Sequence, residues 1–232
     1  MKSWVDFQER VFSLEGSDIS KRSLHVDRVK KALRFINSGG IVLDLGCNDG
    51  SITDLISKMG CIVIGVDLPK VAQNAKKNFP NIEFMAFNIE EKFPFENNYF
   101  NYILAGEIIE HIIDDDSFLE ECYRVLKQNG KLIITTPNIA FIRNRIWLLF
   151  GRYFDCGSHF HNYTFRNLRK KINVTGFKKV IEKGAVYDLG FSSLIKNFKC
   201  HFKYGYQNPL WYLIECTLPK NFKSTIVIVA TK

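Results

Sequence analysis

Apolar residues recur at Val26, Val29, Leu33 and Ile36, the spacing of an amphipathic helix, and Gly39-Gly40 closes the segment. The rhythm then changes. IVLDLG (41–46) is a β-branched and leucine run stopped by glycine, the pattern of a buried strand. The exchange repeats down the chain. SITDLISKM (51–59) predicts a short helix ahead of Gly60, CIVIGVD (61–67) a strand, PKVAQNAKKNF (69–79) a helix and IEFMAFNI (82–89) a strand. FNYILAG (100–106) predicts a strand, DDDSFLEECYRVLKQ (114–128) a helix and GKLIITTP (130–137) a strand. Strand and helix alternating in this way mean βαβ units, hence an α/β fold with a parallel sheet and helices on both faces.

The pattern breaks after Pro137. NIAFIRNRIWLLFGRYF (138–154) is aromatic and basic, and TFRNLRKKINVTGF (164–177) predicts a helix ending at Gly176. KKVIEKGAVYDL (178–189) and STIVIVATK (224–232) read as two final strands. The aromatic stretch between them is too short for a core of its own and reads as an insertion. The expected organisation is one domain over 1–232, with an N-terminal arm at 1–24, a lid at 138–163 and an aromatic insertion at 190–222.

The bulk composition changes little. The 232 residues are 46% hydrophobic and 24% charged, ordinary for a soluble globular chain. A net charge of +8 favours anionic partners weakly and equally serves solubility. The six cysteines form no C-x-x-C pair, MKSWVDFQER is no signal peptide, and no apolar run nears the roughly 18 residues of a membrane span. The expected compartment is the cytoplasm. Nothing in the sequence sets an oligomeric state.

The most informative stretch is VLDLGCNDGS (42–51), a strand running into a turn with Gly46 and Gly50. Its spacing, Asp44-x-Gly46-x-Asn48-x-Gly50, does not match the G-x-G-x-x-G of dinucleotide sites. An acid before the first glycine would repel a pyrophosphate and suits an ammonium group. Asp67, ending the next strand, lies where doubly wound sheets bind ligands and can accept both hydroxyls of a ribose. S-adenosylmethionine carries both groups.

Together with VIGVD, FNIEEKFPFENNYFNYILAGEIIEHI, ECYRVLKQNGKLIITTPN and FRNLRKKINVTGF, this stretch resembles the class I S-adenosylmethionine-dependent methyltransferases, including those of ubiquinone biosynthesis. The resemblance covers roughly residues 25–185 and 224–231. It implies a Rossmann-like, mostly parallel sheet with an antiparallel last strand. It also implies that Asp44, Gly46, Asn48 and Gly50 meet the methionine part of the cofactor. Asp67 and Leu68 then serve the ribose, Asn88 and Ile89 the adenine, and Ala105 and Gly106 the methyl-bearing end. Two positions depart from the family: Asn48 is commonly Gly, and Asn88 commonly Asp. Asn tolerates left-handed φ, and its carbonyl still accepts a hydrogen bond.

ILAGEIIEHIIDDDS (103–117) carries the remaining chemistry. Methyl transfer from a sulfonium needs alignment, and a base only where the acceptor must lose a proton. His111 is the leading catalytic candidate, as that base. A second reading joins Glu107, Glu110, His111 and His159 around Mg or Mn, as in relatives that polarise a hydroxyl with a metal; His159 matches the later histidine better than His161. A third has Glu110 serve the helix start, with Asp114, Asp115 and Asp116 favouring the helix N-terminus. His25 and His201 are expected to be surface or core residues. Arg143, Arg145 and Arg152 suit an anion-binding lid, a nucleic-acid contact, a membrane-surface helix, or an apolar face on the core with solvated arginines. The readings of function are three. The first is O-methylation of a small-molecule hydroxyl. The others are metal-dependent RNA 2′-O-methylation, for which no RNA-binding module is evident, and a non-catalytic partner subunit.

Overall fold

The computed structural model describes residues 26–151, 158–186 and 217–232. The expected arm at 1–24, His25, Arg152, His201 and most of the insertion at 190–222 lie outside the described residues.

Seven strands form one sheet. They are β1 (Ile41–Leu45), β2 (Ile62–Asp67), β3 (Glu83–Ala86), β4 (Phe100–Gly106), β5 (Leu126–Pro137), β6 (Lys178–Ala185) and β7 (Thr225–Thr231). Their order is β3-β2-β1-β4-β5-β7-β6. β1 to β5 pair in parallel, and β7 runs antiparallel to both neighbours. The helices are α1 (Val26–Leu33), α2 (Ser51–Lys58), α3 (Pro69–Asn78), α4 (Asp115–Val125), α5 (Ile142–Leu149) and α6 (Phe165–Val174). This is the doubly wound, mostly parallel sheet with a reversed last strand that the resemblance implied.

Strand residues alternate between two cores, because successive side chains point to opposite faces. Leu43, Leu45 and Ile103 face α4 and α6 through Phe118, Leu119, Leu168 and Ile172. Val42, Val63 and Leu104 face α1 and α2 through Ala32 and Ile56, with Ile36 of the turn after α1 beside them. Strand order reverses between β2 and β4 on either side of β1. That switch point opens a crevice beyond the carboxyl ends of the strands, where ligands of such sheets bind.

Two expectations need correction. The helix predicted over 114–128 stops at Val125, because Leu126 is fully buried and already pairs with Phe100 in the sheet. Residues 126–128, expected as helix, therefore belong to β5, ahead of Asn129 at φ 64°. The reading of the lid with its apolar face on the core and solvated arginines is partly inverted in α5. Arg143 and Asn144 are buried, while Leu148, Leu149 and Phe150 are exposed. The Arg143 guanidinium packs on the rings of Phe141 and Trp147 at 4.9 and 5.1 Å, so its burial is offset by cation–π contact.

Phe118 anchors α4 beneath the loop that follows β4. Phe118→Ala is expected to lower the unfolding free energy by about 3–5 kcal/mol in urea titration. A loss below about 1 kcal/mol would mean the helix is not held by this core.

Candidate functional site

The crevice is built from the loop after β1. Gly46, at φ 73°, leaves no room for a side chain: an added Cβ would sit 2.1 Å from Ile108 Cδ1. Gly50, at φ 84°, is closed in by Phe79 and Phe84 and precedes the first turn of α2. Asn48 takes φ 48°, the left-handed conformation that this loop requires of it. The backbone N–H of Asn48 donates to Asp67 Oδ2, and that of Leu68 donates to Asp67 Oδ1, both at 2.8 Å. Each carboxylate oxygen keeps a further lone pair for a ligand hydroxyl.

Asp44 lies below this loop, almost fully buried, and accepts a hydrogen bond from Thr53 Oγ1 at 2.7 Å. Burial is the main cause that pushes its carboxyl up to about 7; the Thr53 bond opposes that rise and the neighbouring Asp67 adds to it. Asp67 is raised as well, mainly by burial, against its two backbone N–H bonds. The two acids thus form a site with a deficit of positive charge.

One residue that answers this deficit was not singled out from the sequence. Arg28 of α1 is 5% exposed, and its charge lowers the proton affinity of both Asp44 and Glu110. Nη1 of Arg28 donates to Thr135 Oγ1 at 2.8 Å, and Nε stands 3.9 Å from Glu107 Oε1. A Cβ on Gly106 would lie 3.0 Å from Nη1, so the guanidinium rests against that glycine. The signal was present: Arg28 is four residues before the buried Ala32, a cation on the apolar side of its helix.

Asn88 and Ile89 follow β3. Asn88 Oδ1 accepts from the Glu90 N–H and its amide donates to Glu91, while Ile89 packs on the core. Ala105 is fully buried between β1 and β5 and offers only its backbone.

Beyond β4, two consecutive threonines of β5 hold the two glutamates apart. Thr135 Oγ1 donates to Glu107 Oε1 at 3.0 Å, and Thr136 Oγ1 donates to Glu110 Oε2 at 2.9 Å. Glu107 adopts φ 57°, an uncommon conformation for a non-glycine residue. Glu110 is buried, and burial followed by the Glu107 charge raises its proton affinity well above the carboxylate norm. Donor atoms of Glu110, His111 and His159 lie within 4.8 Å of one another. Glu107 stands outside this group, so the four-residue ligand set drawn from the sequence is not assembled. The His111 and His159 rings meet edge to face at 4.9 Å, whereas His161 Nε2 turns to the Ile113 carbonyl.

His111 Nδ1 is 3.0 Å from the Ser158 carbonyl, which can only accept. A proton therefore sits on Nδ1. Glu110 does not serve the helix start. Asp114 caps α4 by accepting from the Ser117 N–H, and Asp115 takes hydrogen bonds from Tyr163 and Lys171.

Residues 43–134 match a family model described as a methyltransferase domain. The chain is 34% identical over 122 residues to the mitochondrial ubiquinone biosynthesis O-methyltransferase of Bos taurus, covering 49% of this chain and 33% of that protein. It is 34% identical over 118 residues to the ubiquinone biosynthesis O-methyltransferase of Bradyrhizobium diazoefficiens, covering 48% and 46%. The match thus spans less than half the length of either curated relative. In structure it resembles a SAM-dependent methyltransferase from Archaeoglobus fulgidus, with TM-score 0.66 at 19% identity over 94% of this chain and 96% of that one.

The Asp44 carboxyl gives a pH test. Its folded value near 7 lies above its ordinary 3.8, so the protonated form is the one the fold favours. Its contribution is complete below the ordinary value and is lost as pH rises to about 7. Relative to the parent, Asp44→Asn is expected to gain stability between pH 4 and 8 and to level off above, by a few kcal/mol in urea titrations. Parallel profiles would show that Asp44 is not held in this state.

Proposed function

Because this chain carries a methyltransferase domain of the class I fold, we propose that it transfers the methyl group of S-adenosylmethionine to a hydroxyl of a small-molecule acceptor. The observation that carries the reading is the pairing of the buried acid Asp44 and the half-buried Asp67 with the buried cation Arg28 at the switch point of the sheet. That set complements a ligand bearing an ammonium group, a ribose diol and a carboxylate. Asp44 faces the ammonium and Arg28 the carboxylate. Asp67 holds the ribose diol beside Leu68, and the Gly46 and Gly50 turn lets the ligand approach the backbone. The Asn88 carbonyl and the turn to Ile89 serve the adenine, and the backbone of Ala105 and Gly106 lines the methyl-bearing end.

When bound, the cofactor supplies an electrophilic methyl on a sulfonium. The chain's own work is to align the acceptor, exclude water and take its proton. In this reading His111 is the base: Nδ1 points its proton to the Ser158 carbonyl, which supports Nε2 as the atom that takes the hydroxyl proton. A second reading has a specific observation behind it. The convergence of Glu110, His111 and His159 fits a divalent cation through one carboxylate and two imidazoles. There the cation would polarise the hydroxyl and offset the Glu107 charge that, after burial, raises the proton affinity of Glu110.

Support for a small-molecule acceptor comes from the ubiquinone O-methyltransferase relatives. The intact acid pair speaks against a partner subunit without activity. Cys47, Cys61 and Cys122 are buried thiols, in keeping with a reducing compartment such as the cytoplasm. No helix among the described residues is long and apolar enough to cross a membrane.

The test is transfer of labelled methyl from S-adenosylmethionine to a panel of catechols, phenols and sugars. Turnover of at least one hydroxyl acceptor is expected, with His111→Ala lowering kcat by about 10²–10⁴-fold. Full activity in that variant on an identified acceptor would remove His111 from the chemistry. Dialysis against a chelator separates the two readings: activity lost and restored by Mg or Mn supports the cation, and activity kept supports the lone base.

A further inference from the structure

A second concavity, of about 410 Å³, opens between the start of α6, the strand β6 and the turn Lys220–Phe222. Its volume is within the range of about 300–1,000 Å³ common for small-molecule sites. The lining carries four cations, Arg145, Arg166, Arg169 and Lys220, against one acid, Glu182. The Glu182 side chain is only 6% exposed. One of its oxygens lies 3.3 Å from Arg169 Nε, and the other pairs with Lys220. A single buried carboxylate therefore positions two of the cations. Arg145 is fixed separately, with Nε donating to the Ala140 carbonyl and the guanidinium 4.6 Å above the Phe222 ring.

These charges gather where fold stability alone disfavours them. The N-terminus of a helix carries partial positive charge and normally attracts acids. The first turn of the ten-residue α6 has no acidic residue, and Arg166 is there instead. Phe165, beneath Lys220 at 5.5 Å, supplies an apolar floor. Three net positive charges, a helix N-terminus and a walled concavity make a site for a multiply charged oxyanion. Guanidinium forks match the geometry of phosphate oxygens.

We infer that this cavity binds the phosphate group of a phosphorylated small molecule or of a phospholipid headgroup. It shares no lining residue with the crevice over β1. Thr164, which lines the cavity, follows His159 by at most about 18 Å of extended chain.

The experiment reads binding without turnover, so its outcome is separate from that of methyl transfer. Glycerol 3-phosphate is titrated calorimetrically into the protein, with glycerol as control. In parallel, the protein is sedimented with phosphatidylcholine vesicles that contain or lack phosphatidic acid. Saturable binding in the first arm identifies a soluble phosphate ester, and binding in the second alone a lipid headgroup. Either must weaken about tenfold or more in Arg166→Glu, an exposed position whose exchange leaves the circular dichroism and melting temperature unchanged, and also in Arg145→Gln. Binding must also fall with added salt, since the site is open to solvent. No binding in either arm, or binding that both variants retain, overturns the inference.

Discussion

Asp44 and Asp67 stand at the carboxyl ends of adjacent parallel strands, Asp44 buried and Asp67 half-buried, and their charges repel. Burial of Asp44 up to about 7 corresponds to a bias of about 4 kcal/mol towards its protonated form. Much of the crevice follows from containing this cost. The loop after β1 is bent through Gly46 and Asn48 so that backbone N–H groups reach Asp67. Thr53 of α2 reaches back to Asp44, and Arg28 of α1 brings a cation into the same volume. The elements around the mouth are thus tied to the acids, and a cationic ligand entering there relieves the strain that the fold retains.

The other end of the crevice uses the same economy. β5 finishes with Thr135 and Thr136, whose side chains point to opposite faces yet each hold a glutamate from the loop after β4. Thr135 links Glu107 to Arg28, so one hydrogen-bonded chain joins the loop after β4 to α1. Glu110 anchors the segment that carries His159 by accepting backbone hydrogen bonds from Phe160 and His161. The histidine pair is therefore positioned from two directions.

The sheet was legible because strands buried on both faces read as continuous apolar runs, and the acids and glycines at their ends break those runs at fixed places. Asp44, Gly46 and Asp67 could be found for that reason. Arg28 was hidden by its surroundings: in HVDRVKKALRFIN it is one of several basic residues, and only the helical register against Ala32 separates it from the solvated ones. The separation of Glu107 from Glu110 was also hidden, since it depends on which threonine of β5 each one meets. Spacing along a loop does not carry that information. The inverted exposure of α5 has a similar origin, because Arg143 lies between two rings that composition alone would assign to the core.

The central claim is that the acid pair and Arg28 hold S-adenosylmethionine at the switch point of the sheet. Calorimetric titration with S-adenosylhomocysteine, which keeps the ammonium, carboxylate and ribose but lacks the transferable methyl, tests it without knowledge of the acceptor. The account predicts saturable binding at one site per chain, weakened about tenfold or more in Asp67→Asn and in Arg28→Gln. Absence of binding to the folded parent protein, or equal affinity in both variants, would contradict it.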